Sequence, residues 1–324
     1  MSPKALRGLV AFAVSGALVA FLLSRLDLAS AFERFRSADP AWLVAAAALS
    51  LVVLFLRGIR FSSLSDRARL PLTTAAVAVQ VFLNRVTPFR LGELSLPWLL
   101  GRHAGEDGAR ALVRLLLVRL VDLLVVAGAV VVAAASRAGS GGPALLPTAA
   151  LLGLLLAVLF TFRRWLSPLL NLIRRAVALA GLGKVGAIDR VLSRLAGAAS
   201  DGDALRPRQR VTVALTSLGV FVVQMAMFAA ILRAFGIGLP VEALALGGAV
   251  AQAGAAVPVA SVGTFGTQEA SWVAGYVWAG LPMEDAIVTA IASQLLTLLF
   301  AALFALPAWL WLERRPPVAA AEAK

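Results

Sequence analysis

Arg90 with Glu93, Arg119 with Asp122, and Glu269 interrupt long apolar stretches, where a charge is costly unless it has a partner, a cavity or a purpose. Each has a definite chemistry open to it. An arginine such as Arg90 can grip a phosphate through two parallel hydrogen bonds. Glu93 and Glu269 can pair with a cationic head group or carry a proton. Arg90 and Glu93 stand three residues apart, as do Arg119 and Asp122, a spacing at which two helical side chains can neutralise each other. Ligand contact and structural pair therefore both stay open for these residues. Arg85 can bind a head group or snorkel to an interface, and Gln294, like Gln80 and Gln252, can line a cavity or join helices. His103, the single histidine, lies beside Arg102 and reads as solvated. The sequence has no cysteine, no cluster of metal ligands and no nucleophile beside a base, so neither catalytic centre nor cofactor is expected.

A duplicated stretch positions most of these residues. Residues 70–93 read LPLTTAAVAVQVFLNRVTPFRLGE, and residues 239–269 read LPVEALALGGAVAQAGAAVPVASVGTFGTQE. Leu70 and Pro71 match Leu239 and Pro240, Pro88 matches Pro258, and Glu93 matches Glu269 after a short insertion. Landmarks repeated in order at a nearly constant offset point to duplication.

The surrounding chain has the composition of a membrane protein: 60% of its 324 residues are hydrophobic and 15% are charged. One helical bundle fits that length. The net charge of +13 sits in short segments between apolar runs, which argues for membrane topology and against nucleic acid. Spans are expected at about residues 8–24, 41–59, 111–135, 144–162, 211–232 and 286–312. The first of these resembles a signal peptide but reads better as a retained helix. Arg57, Arg60, Arg67 and Arg69 read as a basic loop after the second span.

Within the first repeat copy, the arm over residues 72–86 is only about 22 Å long as a helix, and the arm over residues 91–101 about 16 Å, against a hydrocarbon core of about 30 Å. Neither arm spans. A re-entrant hairpin turning at residues 84–90 is the simplest arrangement, and Pro88 favours a break there. A second hairpin is expected over residues 241–280. Counting Lys and Arg on alternate sides places both termini in the cytoplasm, with the first hairpin entering from inside and the second from outside. The expected fold is thus an all-α polytopic protein of the cytoplasmic membrane, with about six transmembrane helices and two re-entrant helical hairpins related by an inverted internal repeat. It forms a single membrane domain over residues 1–324, with repeat halves at about 41–135 and 211–312. An amphipathic cytoplasmic linker over 163–210 carries ten Lys and Arg, and a disordered tail covers 313–324. Inverted repeats with broken helices are the usual build of a secondary transporter.

The segments FLNRVTPFRLGELSLPWLLGR, LLLVRLVDLL, VPVASVGTFGTQEA and SQLLTLL resemble the transmembrane region of lysylphosphatidylglycerol synthases, a flippase-like family, over roughly residues 8–312. The resemblance implies handling of a lipid: movement of aminoacylated phospholipid between leaflets in that family, with relatives linked to polyprenyl-phosphate sugars or hopanoids. It picks out Asn84, Pro88, Arg90, Gly92 and Glu93, then Arg119 and Asp122, then Pro258, Gly263, Gly266 and Glu269 as residues near the substrate. Three positions depart from the family's pattern of charge: Val118, the Leu96–Pro97 pair, and Gln294. The soluble aminoacyl-transferase domain carried by some relatives is not in this sequence, so a separate lipid-modifying enzyme is one expected partner and a second copy of the chain another. The expectation is a non-enzymatic translocase for a phospholipid or polyprenyl-phosphate-linked lipid. The alternatives are a membrane-embedded polyprenyl-phosphate enzyme, against which the turns lack a Ser-Arg pair, and a small-solute secondary transporter.

Overall fold

Asp39 and Pro40 start the first long helix: the Asp39 carboxylate accepts a hydrogen bond from the Ala41 N–H at 2.8 Å, and proline supplies the fixed φ of a first turn. In the computed structural model, residues 33–137, 206–256 and 266–315 are described, with single positions between 153 and 197 and at 318. The described chain is all helical: α1 (Pro40–Leu64), α2 (Leu70–Val86), a 3-10 turn (Pro88–Leu94), α3 (Ser95–Ala104), α4 (Gly108–Arg137), α5 (Pro207–Ala234), α6 (Val241–Ala256), α7 (Thr267–Trp278) and α8 (Met283–Glu313).

Four of these, α1, α4, α5 and α8, are long and apolar enough to cross a membrane. They coincide with four of the expected spans. The spans expected at 8–24 and 144–162, most of the linker and most of the tail lie outside the described residues. The helix surfaces carry the signature of a lipid environment. On α8, Leu295, Leu299, Leu303, Leu306 and Leu310 are exposed at helical spacing, while Ser293, Gln294 and Thr297 are buried on the opposite side. On α5, Val211, Leu215, Leu218 and Val222 are exposed, and Thr216 and Ser217 are buried. Leucine outside and polar groups inside is the arrangement expected when the surrounding solvent is hydrocarbon.

Two hairpins lie between the long helices. In the first, α2 and α3 pack on each other and on the turn between them. Its ends meet at one end of the bundle, where Ser65 donates to Glu106 and Arg67 donates to the Gly105 carbonyl at 2.7 Å. In the second, α6 packs along α7. Its ends meet at the other end of the bundle, where the Asp39 N–H donates to the Ala234 carbonyl at 2.9 Å and Arg34 pairs with Glu284 and Asp285. The packing exchanges elements between the halves: α8 lies against α2, and α4 lies against α6. Two apolar cores result. One gathers residues of α1 to α4 with Val213 of α5 and Leu312 of α8, and the other gathers residues of α5 to α8 with Ala46 of α1.

Two sequence expectations need correction. Arg57 and Arg60 do not lie in a loop, because α1 continues through Phe61 and Leu64, whose buried side chains keep the apolar stripe running past the arginines. The second arm of the first hairpin does not begin at Leu91. Residues 88–94 wind as a 3-10 turn that places Gly92 against α2, where a Cβ would lie 2.3 Å from the Asn84 nitrogen. The Gly92 N–H donates to Thr87 Oγ1 at 2.9 Å, so the tight turn satisfies its own backbone.

Candidate functional site

A cavity of about 730 Å³ opens between the hairpins and the long helices. Its volume is that of a typical small-molecule site. Arg57 of α1, Asn84 and Arg85 of α2, and Glu93 of the 3-10 turn line one part. Arg119 and Asp122 of α4, Ser217 and Gln224 of α5, Gln252 of α6 and Gln268 of α7 complete the polar lining. Leu112, Leu115, Leu116, Leu120 and Leu123 of α4 supply an apolar wall. Leu91, Leu94, Leu116 and Leu123 are both cavity-lining and exposed.

The charges in this cavity pair across elements. Asp122 holds Arg60 by two bonds, at 2.5 Å to Nη1 and 3.2 Å to Nη2, and Arg60 also donates to Ser217 at 2.8 Å. Arg60 is only 1% exposed, so this pair ties α1, α4 and α5 together inside the bundle. Arg119 pairs with Glu93 at 3.1 Å and so fastens the turn of the first hairpin to α4. The Arg119 and Asp122 spacing, which allows mutual neutralisation, is thus resolved by partners on other elements. Arg85 reaches Gln294 of α8 in a long contact of 3.5 Å, linking the first hairpin to the last long helix. Several buried polar atoms of lining residues have no hydrogen-bond partner: Arg57 Nε, Asn84 Oδ1, Arg119 Nε, Gln224 Oε1 and Gln252 Nε2.

The sequence candidates divide by place. Asn84, Arg85, Glu93, Arg119 and Asp122 line the cavity together. Gln294 is buried against Arg85 behind it. Pro88 and Arg90 lie on the 3-10 turn, with side chains outside the described set, and Gly263 falls outside the described residues altogether. Gly266 opens α7 with φ of 87°, a conformation that glycine adopts without strain. Its N–H donates to Glu269 Oε2 at 2.7 Å. Glu269 therefore serves the start of α7, and its neighbour Gln268 faces the cavity. His103, at the end of α3, is not a lining residue; burial and the nearby Arg102 hold its imidazole below the usual pKa.

Sequence reasoning missed Arg57, Arg60, Ser217, Gln224 and Gln268. The available signal was the apolar continuation at Phe61 and Leu64 beyond the two arginines.

The lysylphosphatidylglycerol synthase TM region is the family whose sequence profile this chain matches, over residues 8–305. The chain belongs to that family. Comparison with curated proteins and with solved structures gives no match. Membership of that family points to a membrane lipid-related function.

Proposed function

We propose that this member of the lysylphosphatidylglycerol synthase TM region family is a lipid translocase, moving a phospholipid or polyprenyl-phosphate-linked lipid between leaflets of the cytoplasmic membrane. The observation that carries this reading is a cavity that joins both hairpins and three of the long helices around a charged lining. An amphiphile crossing a membrane keeps its tails in hydrocarbon, whereas its head group needs a polar path. Arg85, Glu93 and Arg119 offer that path, and the exposed leucines at the same cavity suit the tails.

In this reading the two hairpins are re-entrant and the halves are inverted copies. The supporting facts are the return of each hairpin to its own end of the bundle and the reciprocal packing of α8 on α2 and α4 on α6. Six spans then place both termini in the cytoplasm. A second copy of the chain or a separate lipid-modifying enzyme completes the working assembly, and the protein performs transport without catalysis.

The test is leaflet translocation of fluorescent phospholipids and a polyprenyl-phosphate analogue in proteoliposomes. Wild-type protein is expected to move one lipid class, and Arg85→Gln and Glu93→Gln are expected to slow that movement by about tenfold or more while remaining folded. Folded protein that moves no lipid would overturn the translocase reading in favour of a small-solute transporter.

A further inference from the structure

Arg57 stands apart from the arginines in and behind this cavity. Arg60 is held by Asp122, Arg119 is held by Glu93, and Arg85 reaches Gln294. Arg57 makes no hydrogen bond or ion pair among the described residues, and its Nε is buried without a partner. Its charged neighbours are Arg119, Asp122, Arg60 and Arg85, three of them cations. The one carboxylate among them, Asp122, is already engaged by both terminal nitrogens of Arg60. Four arginines close together in an apolar bundle repel one another, and an anion among them offsets that cost.

We propose that Arg57 is the anion anchor of this cavity and that its ligand is a phosphate monoester or diester. This deepens the translocase reading and rests on it only for the idea that the phosphate belongs to a lipid. Arg57 comes from α1, not from either hairpin, so it holds the anion from the scaffold side while α4, α5 and the hairpins supply the rest of the lining. Arg57, Arg85 and Gln224 also line a second, narrower space of about 50 Å³ between α1, α2, α5 and α8, bounded by Leu54, Ala78 and Phe304. The anchor thus sits where the two spaces meet. A planar guanidinium there can hold a phosphate by two hydrogen bonds. The unpartnered amides of Asn84, Gln224 and Gln252 suit the hydroxyl groups that accompany a phosphate on glycerol or sugar.

The experiment is equilibrium binding to purified full-length protein, with thermal unfolding measured on the same samples. The probes are dioleoyl phosphatidic acid, diacylglycerol as its dephosphorylated counterpart, and glycerol 3-phosphate as its soluble head. Phosphatidic acid is expected to bind and raise the unfolding temperature, and diacylglycerol is not. Arg57→Gln is expected to weaken phosphatidic acid binding by about tenfold or more, with Arg57→Lys losing less. Arg57→Gln without ligand is expected to unfold at a temperature equal to or above wild type, because it removes a half-buried charge that no side chain of the described residues pairs.

If glycerol 3-phosphate binds as tightly as the lipid, with the same dependence on Arg57, the anion site stands and the translocase reading falls. Equal binding of diacylglycerol, undiminished binding by Arg57→Gln, or a lower unfolding temperature for both unliganded variants would overturn the proposal. The last result would make Arg57 a structural residue.

Discussion

Asp122 shows how a half-buried charge can serve architecture at the edge of a cavity. It accepts both terminal nitrogens of Arg60, a side chain almost fully enclosed between α1, α4 and α5. Removing one member of such a pair leaves the other uncompensated, whereas removing both restores an apolar contact. Asp122→Leu is therefore expected to destabilise the protein by about 3–5 kcal/mol in denaturant unfolding, and the double variant Arg60→Met with Asp122→Leu to recover most of that loss. Independent, additive losses from the two substitutions would show that the pair is not the unit. The sequence made the charges themselves legible, because an ion in an apolar run stands out. Their partners were not legible. Spacing of three residues allowed Arg119 to neutralise Asp122, but that spacing only brings two side chains near each other, and tertiary packing offered Arg60 and Glu93 instead.

At the scale of elements, glycine decides how closely the second hairpin can close. A Cβ on Gly275 would lie 2.6 Å from the Gly247 carbonyl oxygen and 2.9 Å from Val250 Cβ, and one on Gly254 would lie 1.6 Å from Ser271 Oγ. Because the Gly247 carbonyl is backbone, no rotamer change relieves the first contact. Gly275→Ala is expected to cost about 1–3 kcal/mol by overpacking α6 against α7, measured by thermal unfolding in detergent. Gly108→Ala, where a Cβ would meet nothing within 4 Å, is the control and should leave stability within about 0.5 kcal/mol. The four long helices were readable from hydropathy alone, because length and apolar content decide a span. The end of α1 was not, since Arg57 and Arg60 resemble a loop until Phe61 and Leu64 are given equal weight. Nor was the 3-10 turn, which depends on Gly92 meeting the backbone of α2.

At the scale of the whole molecule, the two hairpins return to opposite ends of the bundle, which makes sidedness measurable. The chain has no cysteine, so single-cysteine variants need no prior background substitution. Arg110 follows the first hairpin and Met283 follows the second, and both are exposed. With Arg110→Cys and Met283→Cys in intact cells, an impermeant maleimide is expected to label Met283→Cys directly. Arg110→Cys should be labelled only after permeabilisation. Labelling of both from one side would refute the inverted arrangement. The ordered landmarks of the two hairpins were visible in the sequence, whereas the cavity was not, because it draws on six helices and a turn that are far apart in the chain.

The packing of α8 on α2 also bears on how the chain is made. Synthesis runs from the first residue onward, so α2 emerges long before α8, which packs on it. In the translocase reading, the first hairpin waits in the bilayer without that neighbour until α8 is made. On that reading α2 depends on a helix made about 200 residues later, and a docking step in which α8 closes over the hairpin follows their separate insertion.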